Sequence, residues 1–280
     1  MSRNFLAEIL TQKRHAIARM KNKHSTGGFR ERALETRKTA VPHRLLHALE
    51  SESPRLKIIA EFKRRSPSAG IIRSDLSATD VARYYERGGA CAISVLTDDQ
   101  YFGGSIAELR AIRATTALPI LRKDFLIDAI QVYEAARAGA DAVLLIVAAL
   151  DDRLLRALRE VAEDQLGLDA LVEVHTSAEL RRALNAGANM IGVNNRDLHT
   201  FQVSLATSEQ LIVDAPRDRI MISESGLNSA ESLHRLHEVG FRGFLIGENL
   251  MRARDPEKAV RDLISEFEAA EVKSTAAHLR

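Results

Sequence analysis

Several residue types that define disulfide-stapled or metal-binding proteins are scarce in this chain. One cysteine, Cys91, among 280 residues excludes an internal disulfide, and its apolar neighbours indicate an inert core thiol. The nine histidines show no metal-ligand spacing, and His175 and His199 are expected at the surface or in loops. CxxC, HExxH, EF-hand, Walker and dinucleotide-binding motifs are missing as well. The sequence therefore predicts neither a metal nor a nucleotide cofactor.

An excess of one charge sign and a long hydrophobic run are also missing. Forty Lys and Arg against 38 Asp and Glu leave a net charge of +2, which argues against nucleic acid or a membrane surface as partner. The longest uncharged apolar run, Ala142 to Leu150, is too short to span a bilayer. No signal-peptide core follows Arg3 and Glu8. We therefore expect a cytoplasmic protein, and a monomer because its exposed faces show no apolar excess.

What the chain does contain is an alternation of apolar runs and helix-like patterns from residue 56 onward. Such alternation indicates right-handed βαβ units and a parallel sheet. Eight units over roughly 220 residues predict a closed (β/α)8 TIM barrel, with an open doubly wound sheet as the alternative. The predicted strands are Lys57–Phe62, Cys91–Leu96, Pro119–Lys123, Ala142–Val147, Ala170–Val174, Met190–Asn194, Ile220–Glu224 and Phe241–Gly247.

A repeated glycine joint favours the barrel. Gly89, Gly139, Gly187 and Gly240 each end a helical pattern and precede a strand, where a left-handed turn suits glycine. Successive joints are 50, 48 and 53 residues apart, which is two βα units each time. Because a Gly-Ala joint is common in α/β folds generally, the spacing supports the closed barrel without excluding the open sheet.

The segment before the first strand is predicted to be helical. Apolar residues at helical spacing indicate one amphipathic helix, which Gly27 and Gly28 are expected to end. Pro42 is expected to precede a second helix around His43 to Glu50. The apolar residues of the first helix are Phe5, Leu6, Ile9, Leu10, Ile17 and Met20.

These patterns together predict a single domain over residues 1–280. Residues 1–55 form a helical extension that is too short and too polar for its own core, and it could cap one end of the barrel. The barrel itself is expected at 56–270, with a C-terminal tail at 271–280.

Charged side chains lie where the predicted strands end. Glu61 and Lys63 project to the same side of the first strand, because strand side chains alternate. Active sites of TIM barrels lie at the carboxyl ends of the strands, so these residues should meet there. Buried ammonium and carboxylate groups shift one another's pKa, which suits general acid–base chemistry. The other strand ends contribute Lys123, Glu173, Asn194, Arg196 and Glu224.

Three of these residues also have a purely structural interpretation. Lys123 could form a solvated ion pair with its neighbour Asp124. Glu173 could be a buried carboxylate that only pairs with a lysine. Glu224 could cap a helix that starts near Asn228.

The loops after the seventh and eighth strands predict a phosphate site. Ser225-Gly226 and Gly247-Glu248 offer backbone N–H groups where barrels usually bind phosphate, although a glycine there could simply form a turn. Phe102, in a loop, could line an aromatic pocket or anchor the loop, and Phe125 could do the same. Further charge or a hydroxyl could come from Lys63, Ser66 and Arg196.

Five segments, in order, resemble the indole-3-glycerol-phosphate synthase family of tryptophan biosynthesis. The resemblance covers essentially the whole chain, and its first segment, IAEFKRRSPS, is highly specific. The segments are Ile59–Ser68, Leu96–Ser105, Leu121–Phe125, Ile191–Leu198 and Ser223–Gly226.

The resemblance implies a reaction that needs no cofactor. The substrate would be 1-(2-carboxyphenylamino)-1-deoxyribulose 5-phosphate, and the products indole-3-glycerol phosphate, carbon dioxide and water. By the resemblance, Lys123 is the general acid for ring closure, and Glu173 and Glu61 are the base candidates for dehydration. Association with other tryptophan-pathway enzymes is a further implication.

The remaining roles follow from the same resemblance. Lys63 would hold the carboxylate or phosphate side and could act later as an acid, while Asn194 and Glu224 would position hydroxyls and the lysines. Glu248 stands where a small hydroxyl residue would suit phosphate better, which is acceptable if the backbone N–H binds and the carboxylate points outward. The phosphate or carboxylate would lie among Ser66, Arg196, Ser225, Gly226, Gly247 and Glu248. The anthranilate pocket would be lined by Phe102, Phe125 and Leu198.

Two other classes of function fit the same residues, and the first is another phosphate-sugar barrel enzyme. A Schiff-base aldolase would use Lys123 or Lys63 as a covalent nucleophile, and a sugar-phosphate isomerase would share the phosphate site. A non-catalytic binding barrel is the third interpretation, although a binder has no need of Lys123, Glu61 and Glu173 together.

Overall fold

Eight parallel strands close into a barrel in the computed structural model, which describes residues 5–51, 55–198 and 200–278 and side chains up to residue 272. Each strand pairs with its neighbours in sequence, and the first pairs with the eighth to close the ring. The predicted TIM barrel is therefore confirmed, and the open sheet is wrong. The strands are β1 (Ile58–Phe62), β2 (Ala92–Leu96), β3 (Ile120–Lys123), β4 (Ala142–Ile146), β5 (Asp169–Val174), β6 (Met190–Asn194), β7 (Ile220–Glu224) and β8 (Gly243–Ile246).

Helices follow the strands around the outside of the barrel. The four glycine joints have φ angles of +97°, +90°, +81° and +124° at Gly89, Gly139, Gly187 and Gly240, as their sequence context predicted. The helices are α1 (Phe5–Lys23), α2 (Thr26–Arg37), α3 (Arg44–Glu50), α4 (Ala78–Gly88), α5 (Asp99–Phe102), α6 (Ile106–Arg113), α7 (Ala129–Ala138), α8 (Asp152–Glu160), α9 (Ser177–Asn185), α10 (Ala206–Leu211), α11 (Ala230–Val239), α12 (Glu248–Arg252) and α13 (Pro256–His278).

Alternate strand residues fall into two separate apolar clusters. One cluster fills the barrel interior, and its strand members include Ile59, Leu121, Leu144, Leu171 and Ile222. The other lies between the strands and the surrounding helices. The interior is thus packed with apolar side chains at its lower levels, and the charged residues that the sequence nominated for the site lie at the carboxyl ends of the strands.

The helical extension contacts both ends of the barrel rather than one. At the amino end, the backbone N–H groups of Leu45 and Leu46 in α3 donate to Asp169 Oδ2, at 2.8 and 3.1 Å. At the carboxyl end, Lys13 of α1 pairs with Asp98 at 2.8 Å and with Asp124 at 2.5 Å, after β2 and β3. Each end helix is therefore fixed to strand termini by charge.

The prediction that Gly27 and Gly28 break the helix is wrong. The break comes earlier, after Lys23, and both glycines lie in the first turn of α2. Ser25 Oγ accepts the Gly28 N–H at 3.1 Å, which satisfies an amide that the helix start leaves free. Packing of α2 against α7 through buried residues such as Phe29 then outweighs the poor helix propensity of glycine.

Two other features complete the fold. Residues 271–278, expected in a tail, continue α13 to His278. The Cys91 thiol donates to the Ile58 carbonyl at 3.3 Å, and burial raises its pKa to about 12, which fits an unreactive thiol. Within the described ranges, every helix is too short or too polar to cross a membrane.

Candidate active site

A cavity of about 410 Å³ opens at the carboxyl end of the barrel. Every residue that the sequence nominated for the site lines it. These residues are Glu61, Lys63, Ser66, Phe102, Lys123, Phe125, Glu173, Asn194, Arg196, Leu198, Glu224, Ser225, Gly226, Gly247 and Glu248. The carboxyl ends of the strands therefore bring all of these residues to one cavity.

Lys123 occupies the centre of the charged part of the cavity. Its Nζ donates to Glu173 Oε2 at 3.1 Å and to Glu224 Oε2 at 2.7 Å. Burial opposes the ammonium form, but these two carboxylates outweigh it, so the pKa of Lys123 lies well above its ordinary value. The alternative that Lys123 forms a solvated ion pair with Asp124 is wrong, because the Asp124 carboxylate pairs with Lys13 and Arg122 instead.

The pKa values of the two carboxylates beside Lys123 are shifted in opposite directions. Burial, reinforced by the charge of Glu173, raises the pKa of Glu224 to about 7 although Lys123 opposes the shift. Burial also acts on Glu173, but Lys123 and His175 outweigh it and hold its pKa below the ordinary value. Different environments thus produce one carboxylate that stays ionised and one that can carry a proton near neutral pH. Glu224 does not cap the following helix, since Ser229 does so.

A second ion pair lies at the end of β1, which pairs with β2 and β8. Lys63 Nζ is 2.6 Å from Glu61 Oε1, as the strand alternation predicted. The Glu61 side chain is 5% exposed and that of Lys63 is 15% exposed, so both are largely removed from water. This pair supplies another acid and base at the mouth.

Two glycines make room for the buried carboxylates. A Cβ added to Gly192, on β6, would lie 2.1 Å from Glu224 Oε1. A Cβ added to Gly247, just after β8, would lie 2.2 Å from Glu61 Oε1. Any larger side chain at either position would displace the carboxylate, so these glycines are part of the site's geometry.

Asn194 links Glu173 to the loop residues that follow β6 and β7. Its Nδ2 donates to Glu173 Oε1 at 3.2 Å, and its Oδ1 accepts from Ser225 Oγ at 2.9 Å and from the Arg196 backbone N–H at 3.0 Å. The amide orientation is therefore fixed on both sides. One hydrogen-bond network at the strand ends therefore connects the side chains of Glu173 and Ser225 through Asn194.

The part of the cavity beside the loops after β6, β7 and β8 brings backbone amides and cations together. Ser225 and Gly226 have φ angles of +67° and +77°, so the chain after β7 turns tightly against the cavity. Arg196 Nη1 donates to Ser68 Oγ at 3.3 Å, and both residues line the cavity. Glu248 Oε1 accepts from Arg252 Nε at 3.0 Å, so its carboxylate is neutralised within α12.

The other end of the cavity is apolar. The rings of Phe102 and Phe125 lie 6.3 Å apart and tilted by 35°, and Leu198 also lines this region. From α1, Phe5, Leu6 and Ile9 line the same cavity. Their amphipathic spacing predicted a helix that could cap one end of the barrel, and the family resemblance implies that this extension helps to cover the substrate. The sequence did not single out these three residues for the site, because only tertiary contacts fix where α1 docks.

One histidine is more buried than its loop position suggests. His175 lies in the loop after β5, as predicted, but its side chain is only 13% exposed and its Nε2 is 3.4 Å from Glu173 Oε1. Its partner Glu179, four residues later, was the available signal. His199 lies outside the described residues. Among the described residues, no group of three or more His, Cys, Asp or Glu side chains is arranged to hold a metal ion.

Sequence comparison decides the family. The sequence model of the family "Indole-3-glycerol phosphate synthase" matches residues 6–263. The chain belongs to the indole-3-glycerol phosphate synthase family. The Chlorobium luteolum relative of that name is 46% identical over 252 residues, which cover 90% of this chain and 94% of the relative. The Carboxydothermus hydrogenoformans relative is 44% identical over 264 residues, covering 93% of this chain and all of the relative.

Solved structures share the fold at low identity. Thiamine phosphate pyrophosphorylase from Pyrococcus furiosus aligns with a TM-score of 0.58 at 19% identity, over 76% of this chain and 96% of that one. KGPDC from Streptococcus mutans aligns with a TM-score of 0.58 at 18% identity, over 77% and 98%. These similarities support the barrel of this indole-3-glycerol phosphate synthase family member and carry no further argument.

Proposed function

We propose that this chain converts 1-(2-carboxyphenylamino)-1-deoxyribulose 5-phosphate into indole-3-glycerol phosphate, carbon dioxide and water, as a carbon–carbon lyase of tryptophan biosynthesis. The observation that carries the proposal is Lys123 held between Glu173 and Glu224. It lies in a cavity with an apolar aromatic end and an end rich in backbone amides and cations. Family membership supports the same reaction.

In this proposal, Lys123 serves ring closure. As the aromatic carbon attacks the ketone, negative charge develops on the ketone oxygen and must be neutralised. The Lys123 ammonium stays charged at neutral pH because its pKa is raised, so it can donate a hydrogen bond and then the proton. Glu224, with a pKa of about 7, is placed to return a proton to Lys123.

Loss of carbon dioxide and dehydration follow ring closure. Breaking the bond to the carboxylate leaves its electron pair in the ring and restores aromaticity. Dehydration needs a base to take a proton from the newly closed ring and an acid to protonate the leaving hydroxide. Glu173 suits the base because its pKa is lowered and it stays ionised, and Lys63 with its partner Glu61 suits the acid. Glu61 remains the alternative base.

The groups around the cavity assign the ends of the substrate. The phosphate would bind the amides of Ser225, Gly226 and Gly247 at the loops after β7 and β8. Arg196 would contribute charge, and Ser66 a hydroxyl. The aminobenzoate ring would lie against Phe102 and Phe125, with Leu198 beside them. We also propose that the protein works as a monomer in the cytoplasm, which sedimentation at micromolar concentration would check for the oligomeric state.

The experiment is to mix the purified protein with the substrate in the presence of EDTA and to follow indole fluorescence and released carbon dioxide. We expect one carbon dioxide per indole product. Saturable substrate binding without either product would contradict the lyase and support a binding barrel. A borohydride-trapped adduct on Lys123 or Lys63 would instead support an aldolase.

A further inference from the structure

His175 lies between two carboxylates at the end of β5. Its Nδ1 is 3.2 Å from Glu179 Oε2, and the same oxygen accepts the His175 backbone N–H at 2.7 Å. On the other side, Nε2 is 3.4 Å from Glu173 Oε1 without forming an aligned hydrogen bond. Glu179, in the first turn of α9, thus fixes the ring, and the free nitrogen is directed at the proposed base.

This arrangement selects the charged form of the ring. A neutral imidazole has one N–H, so one nitrogen lone pair would face a carboxylate, whereas an imidazolium presents N–H on both sides. Burial lowers the pKa of His175, but Glu179 and Glu173, with a smaller contribution from Glu224, outweigh it and raise the pKa. The geometry and the surrounding charges therefore agree.

From the side of Glu173, His175 is one of two cations. Lys123 contacts Oε2, while His175 faces Oε1, to which the Asn194 amide also donates. Across Lys123 lies Glu224, whose charge opposes a second ionised carboxylate. Lys123 must serve both carboxylates, so His175 as a second cation, together with the Asn194 amide, distinguishes Glu173 from Glu224.

We propose that His175, fixed by Glu179, is a positioning residue that keeps Glu173 oriented and ionised for proton abstraction. This inference rests on the proposed function, in which Glu173 is the base. His175 itself needs no contact with the substrate. Its effect is to hold the base ready at pH values where an unassisted buried carboxylate would take up a proton.

The test is the pH dependence of kcat for two variants. His175→Asn replaces the ring by an uncharged amide that can still donate a hydrogen bond, and Glu179→Gln removes the carboxylate that fixes the ring. Loss of a nearby cation raises the pKa of a carboxylate, so the acid limb should move upward by about one pH unit in His175→Asn and by less in Glu179→Gln. His234→Asn is the matched control, because His234 also has a glutamate four residues later, Glu238, but lies on α11. Its acid limb should stay at the wild-type position.

A second readout does not depend on turnover. Proton NMR of the histidine ring, with His175 identified by its loss in His175→Asn, should show a pKa above the ordinary value of about 6.5. Glu179→Gln and Glu173→Gln should each lower it. The inference is overturned if His175→Asn is active and the acid limb of its pH–kcat profile stays at the wild-type position. It is also overturned if the ring pKa of His175 is unchanged in both Glu179→Gln and Glu173→Gln. If every form is inactive, wild type included, but the NMR shifts are as expected, the proposed function is overturned. The interaction of His175 with Glu179 and Glu173 is then still supported.

Discussion

Replacing Gly192 by alanine should disable Glu224 without replacing any charged residue. The added Cβ would lie 2.1 Å from Glu224 Oε1, so the carboxylate must move by about 1 Å or more to restore an ordinary contact. Because Glu224 Oε2 is 2.7 Å from Lys123 Nζ, that movement displaces or breaks the hydrogen bond to the proposed acid. The change acts through shape alone.

The expected magnitude follows from the displacement. A misplacement of about 1 Å in a catalytic constellation costs on the order of 10²-fold in rate, so kcat for indole formation should fall about 10²-fold. Overpacking of the barrel interior should cost about 1–3 kcal/mol in the free energy of unfolding. Steady-state kinetics by indole fluorescence and urea unfolding measure the two effects separately.

Gly243→Ala is the matched control. Its Cβ would meet Leu49 Cδ2 at 3.0 Å and Ile222 Cγ1 at 3.1 Å, so it also overpacks the barrel, but at the amino end. It should lose stability and keep kcat within a few-fold of wild type. In a double-mutant cycle, Gly192→Ala and Glu224→Gln should be non-additive, since both act on one carboxylate. Wild-type kcat in Gly192→Ala, or an equal loss in Gly243→Ala, would refute the reasoning.

Three further predictions concern charge, the apolar end and α1. Because the pKa of Glu224 is raised to about 7, wild type loses stability relative to Glu224→Gln as pH rises from about 4.5 to about 7, by no more than ~1.4 kcal/mol per pH unit. Urea unfolding across that range checks this, and a pH-independent difference would contradict it. Phe125→Ala should raise KM about 10-fold or more with a smaller change in kcat, since it removes ring contact rather than an acid or base. An unchanged KM would place the aromatic ring elsewhere. Lys13→Met should leave Asp98 and Asp124 without their shared cation, lower stability by about 1–3 kcal/mol and raise KM as α1 loosens over the cavity. Lys21→Met, at the more exposed pair with Asp128, is the control that should change both little.

Much of the barrel could be predicted because its pattern is local and repeated. The eight strands lie within two residues of their predicted bounds, since each is a buried and largely apolar run, and most of them end in polar residues. The alternation of side chains then places Glu61 and Lys63 together, and the rule for strand ends brings Lys123 and Glu173 to the same cavity. These steps need no knowledge of tertiary contacts.

The features that escaped prediction depend on partners distant in sequence. The position of α1 is set by Lys13 with two aspartates about a hundred residues away, and that of α3 by Asp169. Gly192 on β6 lies close to Glu224 on β7, and no sequence pattern indicates this contact. His175 differs, because its partner Glu179 lies at helical spacing and could have been recognised.

The central claim is that Lys123 starts the reaction, and a single turnover of Lys123→Met tests it most directly. Enzyme in excess over labelled substrate would be quenched at intervals, and carbon dioxide and indole product would be measured together. If Lys123 protonates the ketone during ring closure, the variant should bind substrate yet release neither product at more than about 10⁻³ of the wild-type rate. Release of both products near the wild-type rate would contradict the account.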